Sequence, residues 1–118
     1  MINKVVVIGR LVSDPVLKIT QAGVSYVRVT IANEQVYKDK KHTNFIDVLA
    51  WSKLAENLSK YCDKGRKILV DGRLEIKKNT KGDKAYTNAT VIAENIDFLE
   101  AAKSSQTFEV IENAEAPF

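Results

Sequence analysis

The side chains with the clearest chemical potential lie in residues 45–51, where large aromatic and small apolar residues alternate. Successive side chains of a β-strand point to opposite faces, so Phe45 and Trp51 share one face with Asp47, while Val48 belongs to the other. If the second face joins the core, two large rings stand where globular proteins usually place polar groups. Such rings suit either a stacking platform for unpaired nucleic-acid bases or a contact with a second cluster or subunit.

Basic residues accompany these aromatics along the chain. Single strands need cations near the stacking rings, because each phosphate carries a negative charge. The candidate phosphate-binding residues are Lys38, Lys40, Lys53, Arg73, Lys77 and Lys78, and the candidate stacking residues are Tyr37, Phe45 and Trp51. The clustering of lysines in two polar segments beside the aromatic strand favours binding over a merely solvated surface.

The sequence offers little for catalysis or metal binding. Asp14, Asp47 and Asp71 are scattered over separate segments, and isolated carboxylates are more often turn caps or ion-pair partners than general acids. The chain has one histidine, His42, in a polar segment, and one cysteine, Cys62, on the apolar side of a predicted helix. We therefore predict no enzyme activity, no cofactor, no metal site and no intrachain disulfide.

The apolar spacing predicts five strands and one helix. The strands are expected over residues 4–11, 26–32, 44–51, 67–77 and 85–93, the last extended by 95–99. Residues 52–62 change to helical spacing, with Ser52 as the expected N-cap and Gly65 as the expected left-handed stop. Residues 33–43 and 79–83 are polar and are predicted to be hairpin loops.

The order of these elements suits an all-β fold of the OB type, a five-stranded Greek-key barrel with one helix between strands 3 and 4. Other small α+β sheets have the same element order, so the order alone leaves them open. Gly9 and Gly72 interrupt strand patterns, which indicates bulges or tight bends of a barrel.

Charge is divided unevenly along the 118 residues. Residues 1–102 carry a net +5 and residues 103–118 a net −2. This predicts one domain at 1–102 with a polyanionic partner, followed by a flexible acidic tail at 103–118. No apolar run approaches the roughly 18 residues of a membrane span, and no signal peptide is recognisable, so we expect a cytoplasmic protein without membrane contact.

Five short segments resemble one known family in the same order: NKVVVIGRL at 3–11, VTIA at 29–32, WSKLAE at 51–56, YCDKG at 61–65 and VDGRL at 70–74. They are similar to the bacterial single-stranded DNA-binding proteins and their phage homologues, over residues 2–99. The resemblance implies an OB-fold that binds single-stranded DNA without catalysis, usually as a homotetramer. It also implies protection of strands exposed in replication, recombination and repair.

Residue by residue, the resemblance places Tyr37 and Phe45 at two stacking positions of the family and Trp51 at a third. The residues that fall at phosphate-facing basic positions of the family are Lys40, Lys53, Lys77 and Lys78. The chain departs from the pattern at Asn79, where many members have a further stacking tryptophan. It also departs at Asp47 and Glu75, positions that are often basic, which predicts weaker binding per site or a shorter footprint.

The end of the chain resembles the family in a reduced form. Many members close with an acidic tip ending in Pro-Phe, which docks replication, recombination and repair proteins. Here Pro117 and Phe118 are kept, while Glu112 and Glu115 remain of the acidic run. The resemblance therefore predicts weaker docking of such partners, and a terminus without a partner is the alternative.

Other functions remain open from the sequence. An OB-fold accessory factor would prefer RNA or a replication protein. A protein-interaction module would bury the aromatic face against another protein. An OB-fold nuclease would need clustered metal-binding carboxylates, which the sequence does not provide.

Overall fold

A computed structural model describes residues 1–99 of the chain. The strands are β1 (Val5–Leu11), β2 (Lys18–Ile19), β3 (Ser25–Tyr37), β4 (Lys40–Trp51), β5 (Lys67–Lys81) and β6 (Lys84–Phe98), and the helix α1 is Ser52–Tyr61. Within these residues no helix is long and apolar enough to cross a membrane. The predicted docking residues Glu112, Glu115, Pro117 and Phe118, with the rest of the 103–118 tail, lie outside the described part.

The sheet closes on itself as a barrel. Its hydrogen-bonded order is β1-β5-β6-β4-β3, and a pairing of β1 with β3 joins the two ends. Neighbouring strands are antiparallel except β4 and β6, which run parallel. The short β2 adds to the outer edge of β3. The predicted five-stranded OB-type barrel is confirmed, and β2 changes only the count: α1 follows the fourth strand of the chain and the third of the barrel.

The core is formed by those side chains of the long strands that point into the barrel. The fully buried side chains of the strands include Val27, Ile31, Val48, Ala50, Ile68 and Val70. Helix α1 packs on β3 and β4 and adds Ala55 and Leu58 to the same cluster, and the predicted burial of Cys62 is confirmed. Burying one large aliphatic side chain contributes about 1.5–3 kcal/mol, so this core holds the barrel that positions the outer face.

The first hairpin extends well beyond the barrel. The prediction of a loop over 33–43 is wrong, because β3 and β4 stay paired up to Tyr37 and Lys40. Only Lys38 and Asp39 form the turn, with φ of 48° and 68°. Positive φ at both turn positions matches the twist of the strands in tight hairpins. The alternation of apolar and polar residues is absent from this segment because the hairpin protrudes from the barrel and both of its faces are exposed to water.

The second hairpin is also longer than predicted. Residues 79–83 are not a loop, since β5 and β6 pair through Lys81 and Lys84 and turn at Gly82. Leu74 and Ile76 keep the inward parity of β5, yet they are 37% and 56% exposed. The strand has left the barrel at this point, so the core no longer covers them.

The ends of α1 differ from the prediction. Trp51, not Ser52, is the N-cap, because its backbone is extended (φ −115°, ψ 150°) as a capping residue requires, and it makes no side-chain capping bond. Ser52 instead begins the helix with a φ of 55°. Cys62 is the C-cap of the helix, and Gly65, the expected left-handed stop, follows three residues later with a φ of 90°. The Gly65 N–H donates a hydrogen bond of 2.8 Å to the carbonyl oxygen of Leu11.

Gly72 marks the bend of the β5–β6 hairpin. The register between the two strands shifts by one residue at this point, so the predicted bulge is confirmed. A Cβ at Gly72 would overlap the carbonyl oxygen of Ile92, which leaves no room for any other residue. At Gly9 a Cβ would lie 2.8 Å from the carbonyl oxygen of Ala32, where β1 crosses β3.

Candidate nucleic-acid interface

An open groove of about 540 Å³ runs over the outer faces of β3, β4, β6 and β5. The strand register explains which side chains meet there. One row across the four strands is Arg28, Leu49, Ile92 and Arg73, called here the cationic row. The next row, two residues along each strand, is Thr30, Asp47, Thr90 and Glu75, called here the carboxylate row.

The cationic row combines an apolar centre with charged ends. Leu49 and Ile92 are each only 7% exposed although they face outward, so they form a floor at the base of the groove. Arg28 and Arg73 stand on either side of this floor. Within residues 1–99 neither arginine forms an ion pair, which leaves both guanidinium groups available for a phosphate.

The two carboxylates of the carboxylate row each contact a neighbouring side chain. The Thr30 hydroxyl donates a hydrogen bond of 2.9 Å to Oδ1 of Asp47. The Glu75 carboxylate lies 3.7 Å from the ammonium group of Lys77, two residues along β5. The groove therefore carries both signs of charge, and its acidic groups lie next to the apolar floor.

Trp51 forms one end of the groove. Its ring lies 5.5 Å from that of Tyr26, its direct partner on β3, with the ring planes tilted by 42°. The Trp51 side chain remains 40% exposed, so one part of the ring packs and another is open. Phe45 is on the same face of β4 and is 68% exposed, one row beyond Asp47.

Tyr37 lies apart from the groove. It pairs with Lys40 on β4, and both have the parity of the core residues, opposite to that of Phe45 and Trp51. The Tyr37 ring is 72% exposed, and the ammonium group of Lys38 lies 5.5 Å from its centroid. The structure therefore does not bring Tyr37 together with the other two predicted stacking residues.

The predicted basic residues divide between the groove and its surroundings. Arg73 and Lys77 line the groove, whereas Lys78 has the opposite parity on β5. Lys53 is exposed in the first turn of α1, two residues after Trp51. Of the departures from the resembled pattern, Asn79 lines the groove together with both carboxylates.

Sequence reasoning missed several residues that line the groove or pack beside it. Tyr26 and Arg28 share the outward parity of β3, so the alternation that identified Val27 as core also contained the signal for them. Asn88 and Thr90 contribute from β6, and no pattern within the chain marked them. Their place depends on the pairing of β6 with β4, which joins residues more than forty positions apart.

The groove can bind a flat ring and an anionic backbone side by side. An exposed indole offers a stacking surface, and the two arginines offer charge-assisted donors. No group of three or more histidine, cysteine, aspartate or glutamate residues suited to a metal ion occurs within residues 1–99. A closed barrel of this topology, with an aromatic groove bordered by cations, defines an OB-fold binding protein.

Comparisons with known proteins agree with this class. The model of the Single-strand binding protein family matches residues 2–99, and the chain belongs to this family. It is 37% identical over 112 residues to the "Single-stranded DNA-binding protein 1" of Staphylococcus aureus strain Mu50, covering 91% of this chain and 71% of that protein. It is 40% identical over 112 residues to the "Single-stranded DNA-binding protein" of Fusobacterium nucleatum, covering 91% and 73%.

A solved structure shares the fold. The "Plasmodium falciparum SSB complex with ssDNA" superposes with a TM-score of 0.78 at 24% identity, over 85% of this chain and 96% of that chain. Membership of the family confirms the resemblance inferred from the five sequence segments. Proteins of the family are non-enzymatic DNA-binding proteins, which also confirms the expected absence of catalysis.

Proposed function

We propose that this chain binds single-stranded DNA along the groove, without a required sequence, and protects the strands it covers. The observation that carries the proposal is the cationic row beside the Tyr26–Trp51 pair. An unpaired base offers a flat apolar face of any identity, and the half-open Trp51 ring is free to receive it. Arg28 and Arg73 then lie within reach of the phosphates on either side. The names of the bacterial relatives support the same ligand.

Stacking continues from Trp51 to further aromatics on the β3–β4 hairpin. Phe45 follows on the same face of β4, and each base stacked on such a ring contributes about 1–3 kcal/mol. Tyr37 is on the opposite face, so a strand reaches it only by passing around the tip of the hairpin. Tyr37 is therefore assigned to DNA beyond the groove rather than to the bases at Trp51.

The basic residues are likewise divided between phosphates at the groove and phosphates beyond it. Arg73 and Lys77 bind phosphates at the groove, and Lys53 extends the cationic border past Trp51. The residues assigned to phosphates outside the groove are Lys38, Lys40 and Lys78. Each phosphate neutralised on a single strand steepens the fall of log K with log salt by about 0.7.

The chain is proposed to assemble as a homotetramer. Val6 and Ile8 on β1 are exposed apolar side chains, at 56% and 37%. β1 pairs with β3 only at Arg10 and Leu11, so the preceding residues leave much of that strand edge open. A second copy that pairs at this edge and also covers the outer face of β1 would bury both side chains. Light scattering should give a multiple of the 13.2 kDa chain mass, and a monomer at all concentrations would refute this.

The cellular role follows from single-strand binding. We assign the chain to DNA replication, recombination and repair in the bacterial cytoplasm, or in that of the host of a phage. The terminal residues Glu112, Glu115, Pro117 and Phe118 are proposed to recruit proteins of these processes. Removal of residues 115–118 should abolish co-purification of such a partner while DNA affinity is retained.

One titration series separates this function from its alternatives. Fluorescein-labelled oligo-dT, oligo-U and duplex DNA are titrated with the full chain, and anisotropy is recorded at several salt concentrations. We expect salt-sensitive binding of oligo-dT and much weaker binding of the duplex. Tighter binding of oligo-U would favour an RNA-binding accessory factor. Failure to bind any nucleic acid would favour a protein-interaction module and refute the proposal.

A further inference from the structure

Two carboxylates occupy an unusual place for a site that binds a polyanion. Asp47 and Glu75 lie in the carboxylate row, one step along the strands from the arginines of the cationic row. Both line the groove, with Thr90 between them on β6. A strand that crosses the floor next to Trp51 therefore passes over negative as well as positive side chains.

The Asp47 carboxylate is held as a hydrogen-bond acceptor. Oδ1 accepts a hydrogen bond of 2.9 Å from the Thr30 hydroxyl, which leaves Oδ2 without a bond from that side chain. Within residues 1–99 Asp47 forms no ion pair, whereas Glu75 forms one with the ammonium group of Lys77 at 3.7 Å. An ionised carboxylate only accepts hydrogen bonds, so this row presents acceptors to whatever lies above it.

The phosphate and the bases of a nucleotide interact differently with such acceptors. A phosphate is repelled, because it carries the same charge. Cytosine, adenine and guanine each present an exocyclic amino group, and aspartate and glutamate commonly accept from the amino group of cytosine. Thymine has no amino group, and its one ring donor, N3–H, lies between two carbonyl oxygens that a carboxylate repels. The row therefore favours base edges over phosphates, and amino-bearing bases over thymine.

We propose that Asp47 and Glu75 read the bases on the groove floor by accepting hydrogen bonds from their exocyclic amino groups. This inference rests on the proposed function and deepens it. The groove then binds any single strand through stacking and phosphate contacts, with a graded preference for amino-bearing bases. Repulsion by the same carboxylates keeps phosphates on the borders, beside Arg28 and Arg73.

The test removes the amino group and the carboxylate separately. The full chain is titrated with oligo-dC and with the same oligomer of pyrimidin-2-one deoxyribonucleoside, which is cytosine without its amino group. We expect the wild type to bind oligo-dC about fivefold more tightly. Asp47→Asn and Glu75→Gln should each lower this ratio, because a neutral amide oxygen accepts more weakly than a carboxylate, and the double variant should lower it further. Asp47→Asn keeps an oxygen acceptor for Thr30, so the fold is retained.

A matched control removes the same charge away from the groove. Glu56→Gln, at an exposed position of α1, should leave the ratio unchanged. Equal gains in affinity for both oligomers in the Asp47 and Glu75 variants would show repulsion alone and would overturn the inference. A wild-type ratio of one would also overturn it, although the proposed function would stand. Wild-type protein that binds neither oligomer would refute the function itself and the inference with it.

Discussion

The rings of Tyr26 and Trp51 lie 5.5 Å apart, centroid to centroid, on directly paired positions of β3 and β4. Tilted aromatic pairs of this kind are worth about 0.5–1.5 kcal/mol beyond the area they bury. Tyr26 therefore fixes the orientation of the ring on which a base is proposed to stack. A ring that is already ordered loses little conformational entropy on binding, so Tyr26 strengthens the site without lining the groove.

Removal of Tyr26 should weaken DNA binding through Trp51. Tyr26→Ala frees the indole ring, and we expect the affinity for oligo-dT to fall about three- to tenfold. Tyr26→Phe keeps the ring contact and should bind like the wild type. Tyr61→Ala is the control, because that ring packs on Phe98 instead. Anisotropy titrations measure all three, and equal affinities of Tyr26→Ala and wild type would exclude the positioning role.

Gly72 should tolerate no side chain. Gly72→Ala brings a Cβ onto the backbone oxygen of Ile92, and moving that backbone should cost about 3 kcal/mol of unfolding free energy. Gly23→Ala is the matched control, since Gly23 has a φ of 88° but open space around it. Its cost should be only about 1 kcal/mol. Urea unfolding compares the two, and similar losses would argue against a steric origin at Gly72.

The Asn3 side chain takes the place of a strand partner. Its Nδ2 donates to the carbonyl oxygen of Leu74 at 2.8 Å, and its Oδ1 accepts from the Leu74 N–H at 2.9 Å. Asn3→Ala returns both backbone groups to water, with an expected loss of about 1–2 kcal/mol in unfolding free energy. Asn95→Ala, at an exposed position of β6, should change it by less than about 0.5 kcal/mol. Unchanged stability of Asn3→Ala would contradict the stabilising role of these two hydrogen bonds.

Stability should decline at alkaline pH partly because of Cys62. Burial raises the pKa of its thiol above the ordinary value of 9.0, so the folded state disfavours the thiolate. A raised folded-state pKa means that this contribution is complete below about pH 9 and is lost as the pH rises through the folded-state value. In Cys62→Ala the unfolding free energy should fall less steeply above pH 9. Parallel pH profiles of variant and wild type would disprove the contribution.

The sequence allowed the faces of the barrel strands to be predicted, but not how far the strands extend. Alternation assigned Val48 to the core and Phe45 to the outside because one face of each barrel strand is buried. The same signal vanishes beyond Ala32, where the β3–β4 arm has water on both sides. The sequence therefore predicts a loop for this arm, although its strands remain paired to the turn at Lys38.

The groove itself depended on pairings that no local pattern contains. Trp51 and Arg73 were predicted separately, and they meet because β6 pairs with β4 on one side and β5 on the other. Tyr37 shows the opposite case: the family resemblance groups it with Phe45 as a stacking residue, and the strand register places the two on opposite faces. Residue type thus indicated the chemistry, whereas the register decided which residues act together.

Binding of single strands along the groove is tested most directly by the fluorescence of Trp51, the single tryptophan of the chain. The full chain is titrated with oligo-dT at graded salt, alongside Arg73→Gln and a Lys60→Gln control on the helix. We expect quenching on binding, a steep loss of affinity with salt, and a salt slope reduced by about 0.7 in Arg73→Gln alone. Unchanged Trp51 fluorescence, together with the absence of salt-sensitive binding, would contradict the assignment of the groove to single-stranded DNA.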